Sequence, residues 1–391
     1  MLDSGINNNT LKVQNRKLIL KLLLTGQCSS RIDIARETGL SKMATTNIIN
    51  EFMDENIIEE TQKQLVSGKG RNPMLLGLSE KAPKLIGIHI CETSLEVSLC
   101  KLNLSTLETK RAELPKDPEK LIDSLIVLMD EFMSLTKGEK ILGIGVGAAG
   151  SVDTDSGKIM FPPSIGIQDI YVMDRLEERY DLPVIFLSEC DCAALTELYF
   201  GKGKDLQEFT FLGISKRVGS GIVAKGDLYR SSTGFNCEFG HTTIDYKGPL
   251  CYCGRRGCIN AYTSVISLEE KLKEASGEDL VFEEFCKKYE NNTPKEIDAI
   301  FEEMASMLAY GITNMATLTG NLNYIIGCEG YYIPDKYIKS CEKKTNDLVV
   351  LKDRRNVSIV KTAIHSSISS ASCACAVLDR VLSRTGQYLA S

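Results

Sequence analysis

The sequence predicts an α/β protein in which an N-terminal winged helix-turn-helix domain precedes a two-lobed body. Three helical patterns separated by short turn signals occupy the N-terminal region, as in a helix-turn-helix. Two cycles of strands alternating with helices follow after Pro83, which is typical of an α/β body. The 391 residues suffice for two or three domains of about 150 residues each.

The composition is that of an ordinary globular protein, with 43% hydrophobic and 25% charged residues. It excludes collagen-like, disordered and membrane classes. The longest apolar run near the start, Leu18 to Leu24, is interrupted by Lys21 and is much shorter than the ~20 residues of a membrane span. Fourteen cysteines without a secretory leader predict a reducing, cytoplasmic location with no membrane partner.

The charge is distributed unevenly along the chain. The net charge is −6, yet residues 1–80 carry ten Lys and Arg against nine Asp and Glu, which leaves −7 for the remainder. This asymmetry has the sign expected of a DNA-binding head on an acidic body.

Helix start and stop signals divide the head into three helices. A first helix is predicted over residues 15–24, and Gly26 ends it. Ser29 or Ser30 is expected to cap a second helix that runs to Thr38. Gly39 then supplies the sharp turn before Ser41, which is expected to cap the third helix.

The third helix and the turn that follows it carry the predicted DNA contacts. Residues 57–59 and 74–78 read as two strands around an exposed glycine-rich basic turn, the wing. Short polar side chains and basic groups are suited to base edges and phosphates. The predicted DNA-binding residues are Ser41, Lys42, Thr45, Thr46, Asn47, Lys69 and Arg71. The alternative is a small helical packing domain without a nucleic-acid role.

The body is predicted from Lys84 onward. Strands at residues 85–90 and 95–99, a helix over 118–135 and a strand at 141–147 form the first cycle, and a second cycle begins at Phe209. The predicted domains are 1–80 for the winged helix-turn-helix, 81–200 for the N-terminal lobe and 201–391 for the C-terminal lobe. The last helix is expected to pack back on the N-terminal lobe.

Four potential metal ligands lie within eighteen positions, in the order H-x9-C-x-C-x4-C: His241, Cys251, Cys253 and Cys258. Three thiolates and one imidazole satisfy tetrahedral Zn²⁺ and leave no open position for water, so the predicted site is structural. The alternative is chance proximity in a cysteine-rich chain. The other cysteines, such as Cys373 and Cys375, are interpreted as buried packing residues.

These motifs resemble the ROK family (repressor, open reading frame, kinase), and in particular its winged-helix, sugar-responsive repressors. Residues 238–241 and 251–258 are similar to the family's E-x-G-H and C-x-C-G-x-x-G-C zinc signature. Residues 145–153 and 183–201 are similar to two further family segments, with Ala149 where proline is usual. The resemblance covers nearly the whole chain and implies an actin/hexokinase-like (ribonuclease H-like) body.

Several positions depart from the family's kinases. The alignment places Glu189 at the catalytic aspartate and Ser188 at the adjoining asparagine. Residues 89–93 replace the kinase D-x-G-G-T, which removes the magnesium-associated aspartate and two phosphate-cradling glycines. Lys216 and Arg217 stand where a Thr-Gly pair is usual. Because phosphate binding depends on such features, we predict no catalytic residue and neither ATP nor Mg²⁺ as a cofactor.

The sugar side of the pocket is partly retained. Glu238 and His241 keep the positions that bind sugar hydroxyls in relatives, and Asn260 stands at a sugar-binding glutamate. The predicted sugar-binding residues are Ser188, Glu189, Glu238, His241 and Asn260. Alternatively, Glu238 braces the zinc loop and Asn260 caps the following helix.

The prediction is a cytoplasmic transcriptional regulator, a repressor of carbohydrate-utilisation genes. Its head binds operator DNA as part of a homo-oligomer, a dimer or a tetramer, and its catalytically inactive body binds a sugar or sugar derivative. Effector binding between the lobes is expected to change the spacing of two recognition helices. The alternatives are an active ATP-dependent sugar kinase with a DNA-binding head, and a constitutive DNA-binding protein with a vestigial pocket.

Overall fold

The computed structural model of the protein describes residues 8–61, 74–115, 117–136, 138–161, 169–364 and 368–383. Contacts divide the chain into two compact units. The first comprises Met1–Gly147, Val172–Phe186 and Ser370–Ser391, and the second comprises Ala148–Tyr171 and Leu187–Ser369. The boundaries of these two units differ from the predicted domain boundaries at residues 80 and 200. The predicted division into three domains stays a prediction.

The head contains three helices followed by two strands. Its elements are α1 (Asn8–Leu24), α2 (Arg31–Thr38), α3 (Lys42–Asp54), β1 (Ile58–Thr61) and β2 (Leu75–Leu78). The first helix begins earlier than the predicted residue 15. β1 and β2 pair in antiparallel fashion, with Ile58 opposite Leu78. The predicted wing residues Lys69 and Arg71 lie outside the described residues.

Local capping sets the turn between α2 and α3. The Ser30 hydroxyl oxygen accepts from the Asp33 N–H at 3.2 Å, and the Ser41 hydroxyl oxygen accepts from the Ala44 N–H at 3.1 Å. Gly39 ends α2 in the left-handed conformation, with φ of 69°. The predicted helix, turn and helix are therefore confirmed with their capping residues.

Arg16 joins α1 to α3. Its guanidinium forms ion pairs with Glu51 and Glu55 and lies 4.4 Å from the centroid of the Phe52 ring. The side chain is only 9% exposed. Because a buried arginine needs its partners to offset desolvation, this cluster holds the third helix in one position.

The body is built from alternating strands and helices, which confirms the predicted α/β class. Its strands are β3 (Lys84–Ile90), β4 (Ser94–Cys100), β5 (Thr106–Glu113), β6 (Ile141–Ala148), β7 (Ser151–Asp153), β8 (Lys158–Phe161), β9 (Ile170–Tyr171), β10 (Val184–Ser188), β11 (Phe209–Ile214), β12 (Val218–Ala224), β13 (Asp227–Leu228), β14 (Asn323–Gly327) and β15 (Ser358–Lys361). Its helices are α4 (Pro118–Leu135), α5 (Met173–Tyr180), α6 (Glu189–Phe200), α7 (Asn260–Thr263), α8 (Val265–Ser276), α9 (Phe282–Lys288), α10 (Lys295–Thr319), α11 (Asp335–Leu348) and α12 (Ser370–Ser383).

The first unit contains a five-stranded sheet in the order β10-β6-β3-β4-β5. Helix α12 packs against β3 and β4 and also contacts α1. Its backbone approaches the sheet closely, because a Cβ atom at Gly87 would lie 1.7 Å from the Ser370 carbonyl oxygen and one at Gly145 would lie 2.1 Å from that of Cys373. Glu96 accepts hydrogen bonds from the Ser370 N–H and hydroxyl, at 2.8 and 2.5 Å. The carboxylate therefore holds the first turn of α12.

A buried lysine orders the joint between the head and the first sheet. The Lys84 ammonium donates to the carbonyl oxygens of Glu80 and Ala82, at 2.8 and 2.5 Å, and lies 3.5 Å from a carboxylate oxygen of Glu139. Its side chain is almost completely buried. These hydrogen bonds satisfy backbone acceptors on both sides of the predicted boundary at residue 80.

The second unit contains another five-stranded sheet, in the order β13-β12-β11-β14-β15, and a small sheet in the order β7-β8-β9. β11 pairs with β12 in antiparallel fashion and with β14 in parallel fashion. The core lies between the sheet and the helices α8 to α11, and it includes Phe239 and Ile259. Within the described ranges, every helix falls short of the length and apolar character of a membrane span.

Candidate metal centre and adjoining polar site

The four predicted metal ligands converge in the second unit. One potential ligand atom from each of His241, Cys251, Cys253 and Cys258 lies within 4.8 Å of the others. The Sγ atoms of Cys253 and Cys258 are 3.7 Å apart, and the Cys251 Sγ lies 3.7 Å from the His241 Nδ1. A tetrahedral site with metal–sulfur bonds of about 2.3 Å has sulfur–sulfur edges of ~3.8 Å. The cluster therefore has the dimensions needed to hold a metal ion.

Core packing and a tight loop position these ligands. Phe239 and Ile259, which lie beside His241 and Cys258 in the chain, are buried in the core of the unit. Gly257 has φ of 64°, and a Cβ atom there would lie 1.5 Å from the Asp245 carbonyl oxygen. The Arg255 guanidinium donates to the His241 carbonyl oxygen at 2.8 Å. The loop is thus closed by backbone contacts that larger residues at Gly257 would prevent.

The protonation of the ligands depends on burial and on nearby arginines. Burial raises the pKa of the Cys258 thiol to about 12. Burial acts in the same direction on Cys253, but hydrogen bonds from Arg255 outweigh it and its pKa lies below the ordinary value. Burial lowers the pKa of His241, and Arg255 and Arg217 add to this effect against Glu238. A neutral imidazole and a thiolate are the forms that bind a metal.

Three hydrogen bonds attach the segment before His241 to the region of β7. The Thr154 N–H donates to the Gly234 carbonyl oxygen at 2.9 Å. The Val152 N–H donates to the Asn236 side chain at 2.9 Å, and the Ser151 hydroxyl donates to Glu238 at 2.5 Å. Glu238 is exposed, so its carboxylate is accessible while Ser151 orients it. Sequence reasoning missed Ser151, since its contact with Glu238 spans 87 residues.

The first turn of α6 carries the next two predicted sugar-binding residues. Ser188 is buried, and its hydroxyl accepts from the Asp191 N–H at 3.1 Å and donates to the Asp191 carboxylate at 2.8 Å. It is therefore a helix cap, and its predicted role in sugar binding stays a prediction. Glu189 is half-buried. Burial raises the pKa of Asp191 to about 6, against hydrogen bonds from Ser188 and the charge of Arg230.

Cys190 lies where α6 packs closely on Gly219 and Gly221 of β12. Burial raises its pKa well above the ordinary value, and the charges of Glu189, Asp191 and Glu238 act in the same direction. A Cβ atom at Gly219 of β12 would lie 2.7 Å from the Cys190 Sγ. The glycine-rich segment therefore lets α6 pack on β12.

Asn260 serves mainly to hold β12. It is 3% exposed, and its side-chain oxygen accepts from the Val218 N–H at 2.6 Å. Its side-chain nitrogen lies 3.4 Å from the Tyr252 hydroxyl oxygen. Asn260 is thus buried and held between Val218 and Tyr252, and its predicted role in sugar binding stays a prediction. Tyr252 was not identified from the sequence as a neighbour of His241 and Asn260. The middle residue of the C-x-C motif is not a metal ligand, and its contacts form only when the loop folds.

The turn at residues 89–93 lies in the first unit, between β3 and β4. The Cys91 N–H donates to the Ser94 carbonyl oxygen at 3.1 Å, and the Cys91 Sγ lies 3.0 Å from the Ser94 hydroxyl oxygen. Burial raises the pKa of this thiol, but hydrogen bonds from Ser94 and Thr93 outweigh it and the pKa is lowered. The backbone and the side chain of Cys91 therefore both contact Ser94 across the turn.

The predicted DNA contacts on α3 are divided by the structure. Lys42 and Asn47 are exposed, Thr46 is half-buried, and Ser41 caps the helix while remaining exposed. Thr45 is 0% exposed, which corrects its placement on the outer face. The error arose because the spacing of apolar residues along α3 does not show how far the packed neighbours extend around the helix. A polar residue beside the apolar face, such as Thr45, can therefore be buried.

The chain matches a family model described as "ROK family" over residues 85–380. Among curated proteins, it is 33% identical over 282 residues to a protein named xylose repressor from Bacillus subtilis (strain 168). The matched region covers 69% of this chain and 72% of that relative. The motif segments at residues 145–153, 183–201, 238–241 and 251–258 lie within residues 85–380, the range that the family model matches.

Solved structures show the fold. A ROK family transcriptional regulator, described as a homologue of the E. coli MLC protein, has a TM-score of 0.77 at 21% identity and covers 95% of this chain and 98% of its own. A ROK family glucokinase from Streptomyces griseus, solved with glucose and AMPPNP, has a TM-score of 0.65 at 22% identity. It covers 76% of this chain and 99% of its own. The predicted kinase-like body is therefore confirmed.

Proposed function

Because the chain belongs to the ROK family, we propose that it is a DNA-binding repressor of carbohydrate-utilisation genes, controlled by a sugar. The observation that carries this proposal is the capped three-helix head, in which α3 keeps Lys42 and Asn47 exposed, followed by an α/β body. The name of the xylose repressor relative makes a pentose the first effector to test. Such a protein acts in the cytoplasm, and operator symmetry favours a homo-oligomer, a dimer or a tetramer.

Zinc is the metal that suits the four-ligand cluster. Three thiolates and one imidazole form a closed tetrahedral set, which is typical of structural Zn²⁺. The ion would hold His241 and the loop of residues 242–258 in a fixed position relative to Glu238. It would take no direct part in ligand chemistry, since the four protein ligands complete its coordination.

The body is proposed to bind its sugar without phosphorylating it. Phosphate binding needs converging backbone N–H groups or dipoles with no opposing charge. The turn at residues 89–93 instead places Glu92 beside the Cys91 and Ser94 pair. Lys216 and Arg217 occupy the second phosphate segment. ATP-dependent phosphorylation of a hexose or pentose by the purified protein, lost in Glu189→Gln, would contradict this part of the proposal.

Sugar-dependent release of DNA should depend on Glu238. We expect Glu238→Gln to raise the sugar concentration needed for half-release by about one to two orders of magnitude, because a charged hydrogen bond to a ligand contributes about 1.5–3 kcal/mol. The measurement is fluorescence anisotropy of an operator selected from a random duplex library, titrated with D-xylose and then other sugars. Glu270→Gln, an exposed change on α8, is the matched control. Equal release by the Glu238 variant and the wild type would contradict the assignment.

Operator binding should depend on Lys42. If its exposed ammonium meets a phosphate, Lys42→Ala removes one released counterion, and the slope of log K against log salt falls by about 0.9. Binding assays at several salt concentrations measure this slope. Lys352→Ala, an exposed change in the second unit, makes the same change in net charge and should leave the slope unchanged. An unaltered slope in Lys42→Ala would refute the contact.

A further inference from the structure

The exposed face of α3 carries one large apolar side chain. Met43, the second residue of the helix, is 75% exposed. Among the residues of the head that the structure describes, no other large apolar side chain is as exposed. A single exposed apolar residue is common on protein surfaces and by itself indicates no function. The role of Met43 therefore has to be argued from the groups that surround it.

Met43 shares its face of α3 with polar groups that are suited to DNA. Asn47 lies four positions later, on the same side of the helix, and Lys42 precedes Met43; both are exposed. The opposite face packs into the head, where Ile49 and Phe52 are completely buried. The N-terminal residues of a recognition helix contact base edges when the helix lies in the major groove. Met43 and Asn47 are therefore placed where base edges would be met.

The two exposed asparagines of α3 differ in their hydrogen bonds. The Asn50 side-chain oxygen accepts from the Arg31 guanidinium at 3.1 Å, so this amide is partly occupied. The Asn47 amide has no hydrogen bond to any residue that the structure describes, and its oxygen and its NH₂ group are both available. Such an amide accepts from N6 and donates to N7 of adenine. Asn47, and not Asn50, therefore has the groups needed to recognise adenine.

The chemistry of Met43 selects a different feature of the major groove. Its side chain ends in a thioether, which is only a weak acceptor and cannot donate. The C5-methyl group of thymine is the apolar feature that base edges present in this groove. Contact with the methyl group removes apolar surface from water on both partners. Contact with the polar edge of guanine or cytosine would instead leave hydrogen-bonding groups without partners.

The helix spacing relates the two contacts. Residues four apart on a helix have Cβ atoms about 5–6 Å apart, and successive base pairs are separated by about 3.4 Å along the DNA axis. The two side chains therefore reach base pairs about one or two steps apart. Arg16 fixes α3 against α1 through its ion pairs with Glu51 and Glu55, so both contacts move together.

We propose that Met43 is a specificity-determining residue of the operator complex, which packs on the methyl group of a thymine about one or two base pairs from an adenine that Asn47 contacts. This proposal rests on the proposed DNA-binding function. It adds sequence information that Lys42 does not supply, since a phosphate contact is the same for every base. The half-site under α3 then contains an A·T pair at each of the two positions.

The test is binding of the full-length protein to an operator selected from a random duplex library, with each thymine replaced in turn by deoxyuridine. Deoxyuridine lacks only the methyl group and keeps its base pairing. Fluorescence anisotropy should show that one replacement weakens wild-type binding about fourfold, the factor expected from burial of one methyl group. Met43→Ala should bind the unmodified operator more weakly than the wild type, and the same replacement should then cost nothing further.

The adenine contact is tested in the same operator. Replacing the neighbouring adenine by 7-deazaadenine removes the N7 acceptor and should weaken wild-type binding about fivefold, as expected for one hydrogen bond. Asn47→Ala should show no such effect. Asn50→Ala should still show it, because the Asn50 oxygen is already engaged by Arg31.

Two controls separate a lost contact from a damaged head. Ile32→Ala removes another exposed apolar side chain, on α2, and should retain the effect of deoxyuridine. The slope of log K against log salt should be the same in Met43→Ala as in the wild type, because an apolar contact releases no counterion. A lower slope, with no coupling to any thymine, would mean that the substitution displaces the helix, and it would overturn the assignment.

The remaining outcomes distinguish the two proposals. A selection in which the wild type enriches no sequence would contradict the DNA-binding function itself. Specific binding that no single deoxyuridine weakens would overturn the role of Met43 alone. A deoxyuridine effect that persists in full in Met43→Ala would do the same, because another residue would then meet the methyl group.

Discussion

Cys258→Ser should abolish zinc binding and the response to sugar while leaving operator binding in place. Cys258 is completely buried, and its Sγ lies 3.7 Å from that of Cys253, so no solvent molecule can easily replace it. Structural zinc contributes about 10–16 kcal/mol to the folding of small zinc-binding peptides. The loop of residues 242–258 should therefore lose its order, and with it the position of His241 and Tyr252.

Metal analysis and thermal unfolding measure this effect. The wild type should contain about one zinc per chain and the variant almost none, with a clear fall in the unfolding temperature of the second unit. Operator affinity without sugar should be nearly unchanged, because the head belongs to the first unit. Cys91→Ser removes a thiol outside the cluster and should keep its zinc. A zinc-free wild type, or a Cys258 variant with full zinc, would refute the metal centre.

Gly87→Ala should destabilise the first unit strongly. The added methyl group would lie 1.7 Å from the Ser370 carbonyl oxygen and 2.8 Å from the Ala374 nitrogen. These are backbone atoms of α12, so relief requires the whole helix to move away from β3. Overpacking of this kind typically costs 1–3 kcal/mol and occasionally more, and we expect a loss of about 3 kcal/mol in the free energy of unfolding.

A matched glycine separates this clash from the general effect of replacing glycine. Gly77 lies in β2, where an added methyl group would meet the Thr61 side chain at 2.8 Å. Because that side chain can rotate, Gly77→Ala should cost less than about 1 kcal/mol. Urea unfolding followed by circular dichroism gives both values. Equal stability of the two variants would show that α12 does not hold the backbone contact.

Structural features that depend on residues close together in the sequence could be predicted. Ser30, Gly39 and Ser41 cap α2 and α3 as expected, because capping depends on residues two or three positions away. The metal ligands could also be found, since eighteen positions and their glycines suffice to define the cluster.

Contacts between distant segments were not predictable. Asn260 bonds to Val218, 42 residues away, so its structural role appears only when β12 and the metal loop meet. The burial of Thr45 depends on packing within the head. The glycines at 87 and 145 carry no local turn signal, because the reason for their small size is a helix more than 200 residues later in the chain.

The packing of α12 on β3 also has a consequence for folding during synthesis. Residues 87 and 370 are 283 positions apart, and at about 10 residues per second a ribosome needs roughly half a minute to travel between them. During that interval β3 and α1 have emerged without the helix that covers them. Their apolar surface is then available to chaperones or to other nascent chains. Any chain that stops before residue 370 therefore carries a DNA-binding head with one of its supporting helices missing.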